Sequence, residues 1–148
     1  MMRKKLTIPL LLLMLVAVTA SGCAVGNIMD MQPVDQATSA ADKLMDTYID
    51  VYDTYNQMKA NIPAEYAETK KDFVDAMNLA HPAISLAVEA AIGWKEAVET
   101  AESVDPKHKA DADLAVSVAK AKYDVKQSSA SKCLNKALAL WVQIKGEQ

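Results

Sequence analysis

The chain has 148 residues, 51% of them hydrophobic and 5% aromatic, with 16 Lys and Arg against 19 Asp and Glu and a formal net charge of −3. That length fits one domain with a modest core. The acidic balance excludes the concentrated basic surface that neutralises nucleic-acid phosphates or docks on anionic lipid.

In chain order, the first element predicted is an export segment. Arg3, Lys4 and Lys5 form a positive start, residues 6–18 are an apolar run interrupted only by Thr7 and Pro9, and Ala20, Ser21 and Gly22 are small residues before Cys23. A 13-residue apolar helix rises only about 20 Å, short of the roughly 30 Å hydrocarbon core. A cleaved signal over residues 1–22 therefore fits better than a permanent span.

These residues resemble the signal of the bacterial lipoprotein class, which ends in an aliphatic residue, two small residues and Cys. The run Ala20, Ser21, Gly22, Cys23 matches it at three positions and carries Ala20 where Leu is commoner. The resemblance implies cleavage between Gly22 and Cys23 and acylation of the Cys23 thiol. Each buried methylene contributes about 0.8 kcal/mol, so two or three acyl chains hold a protein at a bilayer. Ala24 follows Cys23 in place of the Asp that resembles an inner-membrane retention signal, which implies an outer-membrane anchor facing the periplasm. The mature chain would have 126 residues, with 13 basic and 19 acidic side chains.

Beyond Cys23, alanine occurs 23 times and glycine only at Gly26, Gly93 and Gly146, while β-branched residues never alternate with polar ones over a strand's length. This composition predicts an all-α fold. Residues 23–35 read as the lipidated Cys and a tether containing Gly26 and Pro33, and residues 36–148 as the folded domain. In the first helical run, Val34, Ala37, Ala41, Leu44, Tyr48, Val51, Tyr55, Met58 and Ile62 follow at intervals of three and four, the pattern of one buried stripe. Pro63 ends it. The second run starts near Ala64, with Glu65 and Glu68 where acidic charge suits the helix dipole. Its stripe is Phe73, Met77, Ala80, Ile84, Ala87, Ala91, Trp94, Val98 and Ala101. The phase survives Pro82, which predicts a kinked but continuous helix to about Ser103, with two shorter helices meeting at His81 as the alternative.

The third run opens at Asp105 and Pro106, a cap followed by a residue whose φ is preset for a helix. Leu114, Val118, Ala121 and Val125 suggest its first stripe, and Cys133, Ala137, Trp141 and Ile144 its second, joined by a rotation through the small residues 128–131. Short turns force neighbouring helices antiparallel. Counting back from residues 103–104 sets Trp94 opposite about Leu114, Tyr66 opposite about Trp141, and Pro82 opposite about residues 125–128. The architecture expected is an elongated antiparallel three-helix bundle, or four helices if Pro82 is a corner, with no sheet.

Candidate chemistry is sparse. His81 and His108 are the only histidines, and neither sits in a Glu-x-x-His pair of the kind that builds di-metal bundles. His108 reads as an exposed residue at a helix start and His81 as bordering the Pro82 kink. Met29 and Met31 are two thioethers without a third soft donor nearby. Cys133 is the one thiol left if Cys23 is acylated; burial on the helix stripe and an intermolecular disulfide are its two fates. Asp42, Asp46, Asp50 and Asp53 make an acidic face on the first helix, readable as a solvated surface or a partner surface, and Lys120, Lys122, Lys126, Lys132 and Lys136 are a basic set on the third. No Ser-His-Asp or Cys-His arrangement, phosphate loop or haem-attachment motif occurs. The sequence therefore predicts a non-enzymatic envelope lipoprotein without metal or cofactor, held to the membrane through Cys23, contacting another envelope protein or a second copy of itself, and not nucleic acid. A small-ligand or lipid-binding bundle, with Tyr48, Tyr55, Phe73, Trp94 and Trp141 lining a cavity, is the alternative.

Overall fold

The computed structural model describes residues 32–146, and within them the chain is three long helices and two single 3₁₀ turns. Helix α1 is Pro33–Met58, α2 is Ala67–Ser103 and α3 is Lys109–Gly146. The 3₁₀ turns Ala64–Tyr66 and Pro106–His108 lead into α2 and α3, and no strand occurs among the described residues. Tyr55 meets Phe73 and Trp141, while Trp94 meets Tyr123. Those contacts make α2 antiparallel to both α1 and α3, which is the expected three-helix bundle.

Proline and lysine set the helix ends. Pro33 occupies the first position of α1, where a missing N–H costs nothing. The helix therefore begins before the tether boundary expected at residue 35. At the other end Pro63 disfavours helical geometry at Ile62, and α1 stops at Met58 with a capping bond from the Lys59 N–H to the Tyr55 carbonyl, 2.8 Å. Neither α1 nor α2 has a basic residue in its last turn; the next helix supplies one. Lys70 Nζ donates to the Lys59 carbonyl at 2.8 Å, and Lys109 Nζ donates to the Ala101 carbonyl at 3.0 Å. Each ammonium satisfies an orphaned C-terminal carbonyl and complements the negative end of the dipole. At the second turn the Asp105 carboxylate accepts from the Lys107 N–H at 2.9 Å. It caps a 3₁₀ turn there, and the α-helix begins three residues beyond Pro106.

Helix α2 runs through Pro82 without a corner, which excludes the four-helix alternative. Proline deprives the Asn78 carbonyl of its intrahelical donor. Both residues are on the solvent side, so water reaches the freed carbonyl. On the other side Ala80 and Ile84 are fully buried and hold the helix on course.

Half of the buried apolar residues are alanines, including Ala41, Ala80, Ala87, Ala91, Ala130 and Ala137. Small side chains along the seam let the helices approach closely. Large residues gather in patches: Tyr55, Phe73, Met77, Trp141 and Ile144 at one end, Ile84 and Leu134 in the middle, Trp94 and Tyr123 at the other end. All the predicted stripe residues of α1 and α2 are buried or half-buried.

In its first half, α3 departs from expectation. Leu114, Val118 and Val125 are 64%, 62% and 67% exposed, and Ala121 is exposed too. The stripe that packs is Val116, Ala119, Tyr123, Ala130, Leu134, Ala137, Trp141 and Ile144, and it needs no rotation at residues 128–131. A rigid helix turning about 100° per residue carries the phase set by Leu134, Trp141 and Ile144 straight back to Tyr123, which places Val118 and Val125 on the far side. Cys133 precedes Leu134 and so falls off the seam; the expected burial is replaced by a half-buried position beside the middle cluster. The expected pairing heights shift as well. Trp94 lies opposite Tyr123 and Phe73 opposite Trp141, because the 3₁₀ turn at Pro106–His108 delays the start of α3. Ile84 is thus level with Ala130 and Leu134, and the small residues 128–131 face that level, with Ala130 in the seam.

Candidate functional site

The α2–α3 pair has two faces. Helix α1 covers one. Its N-terminal half brings Val34, Ala37 and Ala41 into one buried cluster with Ala91, Trp94 and Tyr123, and its C-terminal half seats Tyr55 between Phe73 and Trp141. On this covered side Tyr123 donates from its hydroxyl to the Ala37 carbonyl at 3.1 Å, a buried bond joining α3 to α1. Burial, and secondarily the nearby Asp124 carboxylate, push the Tyr123 phenol upward. Lys95 pairs with Asp35 at 3.1 Å, tying α2 to the start of α1, and that hydrogen bond and charge raise the Lys95 ammonium. The pair is exposed and salt-screened, so its contribution to stability is small.

The other face is open. A surface groove of about 510 Å³ runs along it, lined by Glu89, Ala90 and Gly93 of α2 and by Asp111, Leu114, Ala115, Val118, Ala119 and Lys122 of α3. Its floor is small because Ala90, Gly93, Ala115 and Ala119 stand where larger residues would fill it. Added at Gly93, a Cβ would meet nothing within 4 Å. The rims carry charge, with Glu89 on α2 and both Asp111 and Lys122 on α3. Leu79 and Leu86 extend the apolar character along α2, at 61% and 44% exposure.

The five aromatics expected to line a cavity or fill a core each pack against another ring. Tyr55 and Phe73 have centroids 4.9 Å apart, Phe73 and Trp141 5.3 Å, and Tyr55 and Trp141 6.1 Å in an edge arrangement. Tyr48 stands outside that group, stacked on Tyr52 at 6.0 Å and tilted against His81 at 5.3 Å. His81 is exposed on α2 and leans on α1. A second, smaller depression of about 190 Å³ lies between α1 and α2 over Tyr55, Phe73 and Met77.

The acidic residues Asp42, Asp46, Asp50 and Asp53 are all exposed on α1, and among the described residues none forms an ion pair. No lysine of the predicted set pairs with them among the described residues. Lys120 pairs with Asp124 at 2.7 Å and lies 5.4 Å over the Trp94 ring, whereas Lys122 borders the open groove. His108 is exposed beside the Asp105 cap. Among the described residues no group of three or more His, Cys, Asp or Glu could hold a metal, and no helix is long and apolar enough to cross a membrane. Among the described residues Cys133 forms no disulfide. Gly22, Cys23, Met29 and Met31 lie outside the described residues.

Sequence reading missed two features. Tyr123 was not among the predicted stripe residues, although it sits at stripe spacing from Ala119 and Ala130, a signal that could have found it. The open groove has no sequence signature, since alanine and glycine in a helix announce no surface. No protein family, curated protein or solved structure matches this chain.

Proposed function

We propose that this protein is a lipid-anchored bacterial envelope protein whose helical bundle is a non-enzymatic interaction module. Residues 1–22 direct export, Cys23 carries the lipid, and the acyl groups confine the bundle to the periplasmic side of the outer membrane. The observation that carries this reading is the N-terminal sequence: Arg3, Lys4 and Lys5, the apolar run, and the Gly22-Cys23 pair in that order. The nine residues 24–32 between Cys23 and Pro33 reach at most about 30 Å, so the bundle works close to the bilayer. Confinement raises its effective concentration towards partners on the same membrane.

Two observations support an interaction module. The bundle leaves Leu114, Val118 and Val125 on its surface, and exposed apolar groups gathered on one face mark contact sites. The acidic row on α1 forms no ion pair among the described residues and offers a second surface, suited to a basic patch on another envelope protein.

Intact-mass analysis of the native protein, beside Cys23→Ser, tests the anchor. The native chain should begin at Cys23 with added acyl mass and enter the detergent phase of a phase-separation extraction, and Cys23→Ser should remain aqueous. A native chain without acyl mass, or one wholly in the aqueous phase, overturns the proposal.

A further inference from the structure

We propose that the open face of the α2–α3 pair binds a second copy of this chain in a parallel two-fold dimer. This names the partner of the proposed interaction module and rests on that reading only for the shared membrane. Leu79 and Leu86 on α2 and Leu114, Val118 and Val125 on α3 flank the face turned away from α1, each 44% to 67% exposed. A helix pair of this length is about 50 Å long and about 18 Å wide, so the face offers on the order of 900 Å² per copy, the amount that a standard stable interface takes from each partner.

Charge selects both the occupant and its direction. The contacts of Trp94 with Tyr123 and of Phe73 with Trp141 set the heights, placing Glu96 level with Lys122 and Glu89 level with about Lys126. From Glu89 to Glu96 the α2 side of the face is thus acidic and the α3 stretch level with it basic, with Asp111 the one acid of α3 on the groove, nearer that helix's start. Among the described residues none of Glu89, Glu96, Lys122 and Lys126 makes an ion pair. A two-fold axis along the bundle lays α2 of one copy over α3 of the other at equal height, so each carboxylate meets an ammonium group, twice over. An axis across the bundle lays α2 on α2 and α3 on α3, with like charges opposed. Complementarity therefore favours the parallel form, because juxtaposed like charges penalise the wrong arrangement. The small floor at Ala90, Gly93 and Ala115 leaves room for the partner's apolar side chains. Both Pro33 ends then lie at the same end of the assembly, so two copies of Cys23 can enter one membrane.

Light scattering on the detergent-solubilised full chain, corrected for bound detergent, tests the dimer over a range of protein concentrations. Twice the chain mass is expected. Reversing the acids together (Glu89→Lys with Glu96→Lys), or the lysines together (Lys122→Glu with Lys126→Glu), should weaken association about tenfold or more, and combining all four should restore it to within about threefold. Val118→Lys, at a position already 62% exposed, should give a monomer with unchanged helical circular dichroism. A monomer mass at every concentration, a four-residue variant weaker than either pair alone, or a different protein bound in place of the second copy would each overturn the dimer. The mass of Cys23 is read separately: an acylated monomer rejects only the dimer, and an unacylated dimer rejects only the anchor.

Discussion

The two halves of α3 are built on different principles. From Ala130 to Ile144 the helix buries its largest apolar residues, Leu134, Trp141 and Ile144, against α1 and α2. From Lys109 to Val125 Leu114, Val118 and Val125 face outward, and the helix is held by Val116, Ala119 and Tyr123, together with one hydrogen bond to α1. Apolar area fixes one half. Close approach, the Tyr123 ring on Trp94 and two hydrogen bonds, from Tyr123 to α1 and from Lys109 to α2, fix the other, which leaves its outward aliphatic side chains available for contact with something else.

Breaking the area-based half should have the largest effect. Trp141→Ala removes a ring packed on both Tyr55 and Phe73 and should destabilise the bundle by about 3–5 kcal/mol, measured by urea unfolding. Leu134→Ala, in the middle cluster, should cost about 2–4 kcal/mol in the same measurement. In the other half, Tyr123→Phe keeps the ring and removes the donor to the Ala37 carbonyl, so the expected loss is only about 1 kcal/mol.

High pH should act through the same hydroxyl. The Tyr123 phenol is raised above its ordinary value of 10.0 by burial, so the folded state holds the proton more tightly than the unfolded chain. Its stabilising contribution is whole below pH 10.0 and disappears as pH climbs through the raised folded value. Tyr55 and Tyr48 are raised in the same direction by burial. Melting temperature followed into this alkaline range should fall for the native chain and fall less for Tyr123→Phe; equal slopes would argue against a role for the buried hydroxyl. Smallest of all should be Leu114→Ser, which at 64% exposure should change monomer stability by less than about 0.5 kcal/mol. A loss as large as that of Leu134→Ala would mean that the outward stripe is part of the core after all.

The contrast also explains what could be read from the chain. In α1 and α2 a single apolar stripe runs the length of each helix, so the packed face was legible from Val34 to Met58 and from Phe73 to Ala101. The first half of α3 carries two stripes. Leu114, Val118, Ala121 and Val125 are the more hydrophobic by composition, while Val116, Ala119 and Tyr123 offer one valine, one alanine and a ring with a polar tip. Hydrophobicity alone favours the wrong one. The choice was made by residues well downstream, whose burial dictates the rotation of a stiff helix. Cys133 was misplaced for the same reason, by one position.

Sequence alone therefore determined the helices, their prolines and cap, the faces of α1 and α2, and the antiparallel order, because these follow from backbone chemistry and from periodicity within about ten residues. The proposed export and acylation rest on the sequence alone, since the residues that carry them lie outside the described ones. Only the tertiary structure decided which stripe of α3 is covered, which residues lie level across the seam, and that one face of the α2–α3 pair is bare. These depend on the summed contacts that neighbouring helices offer to a rigid rod, and no local window of the chain contains that sum.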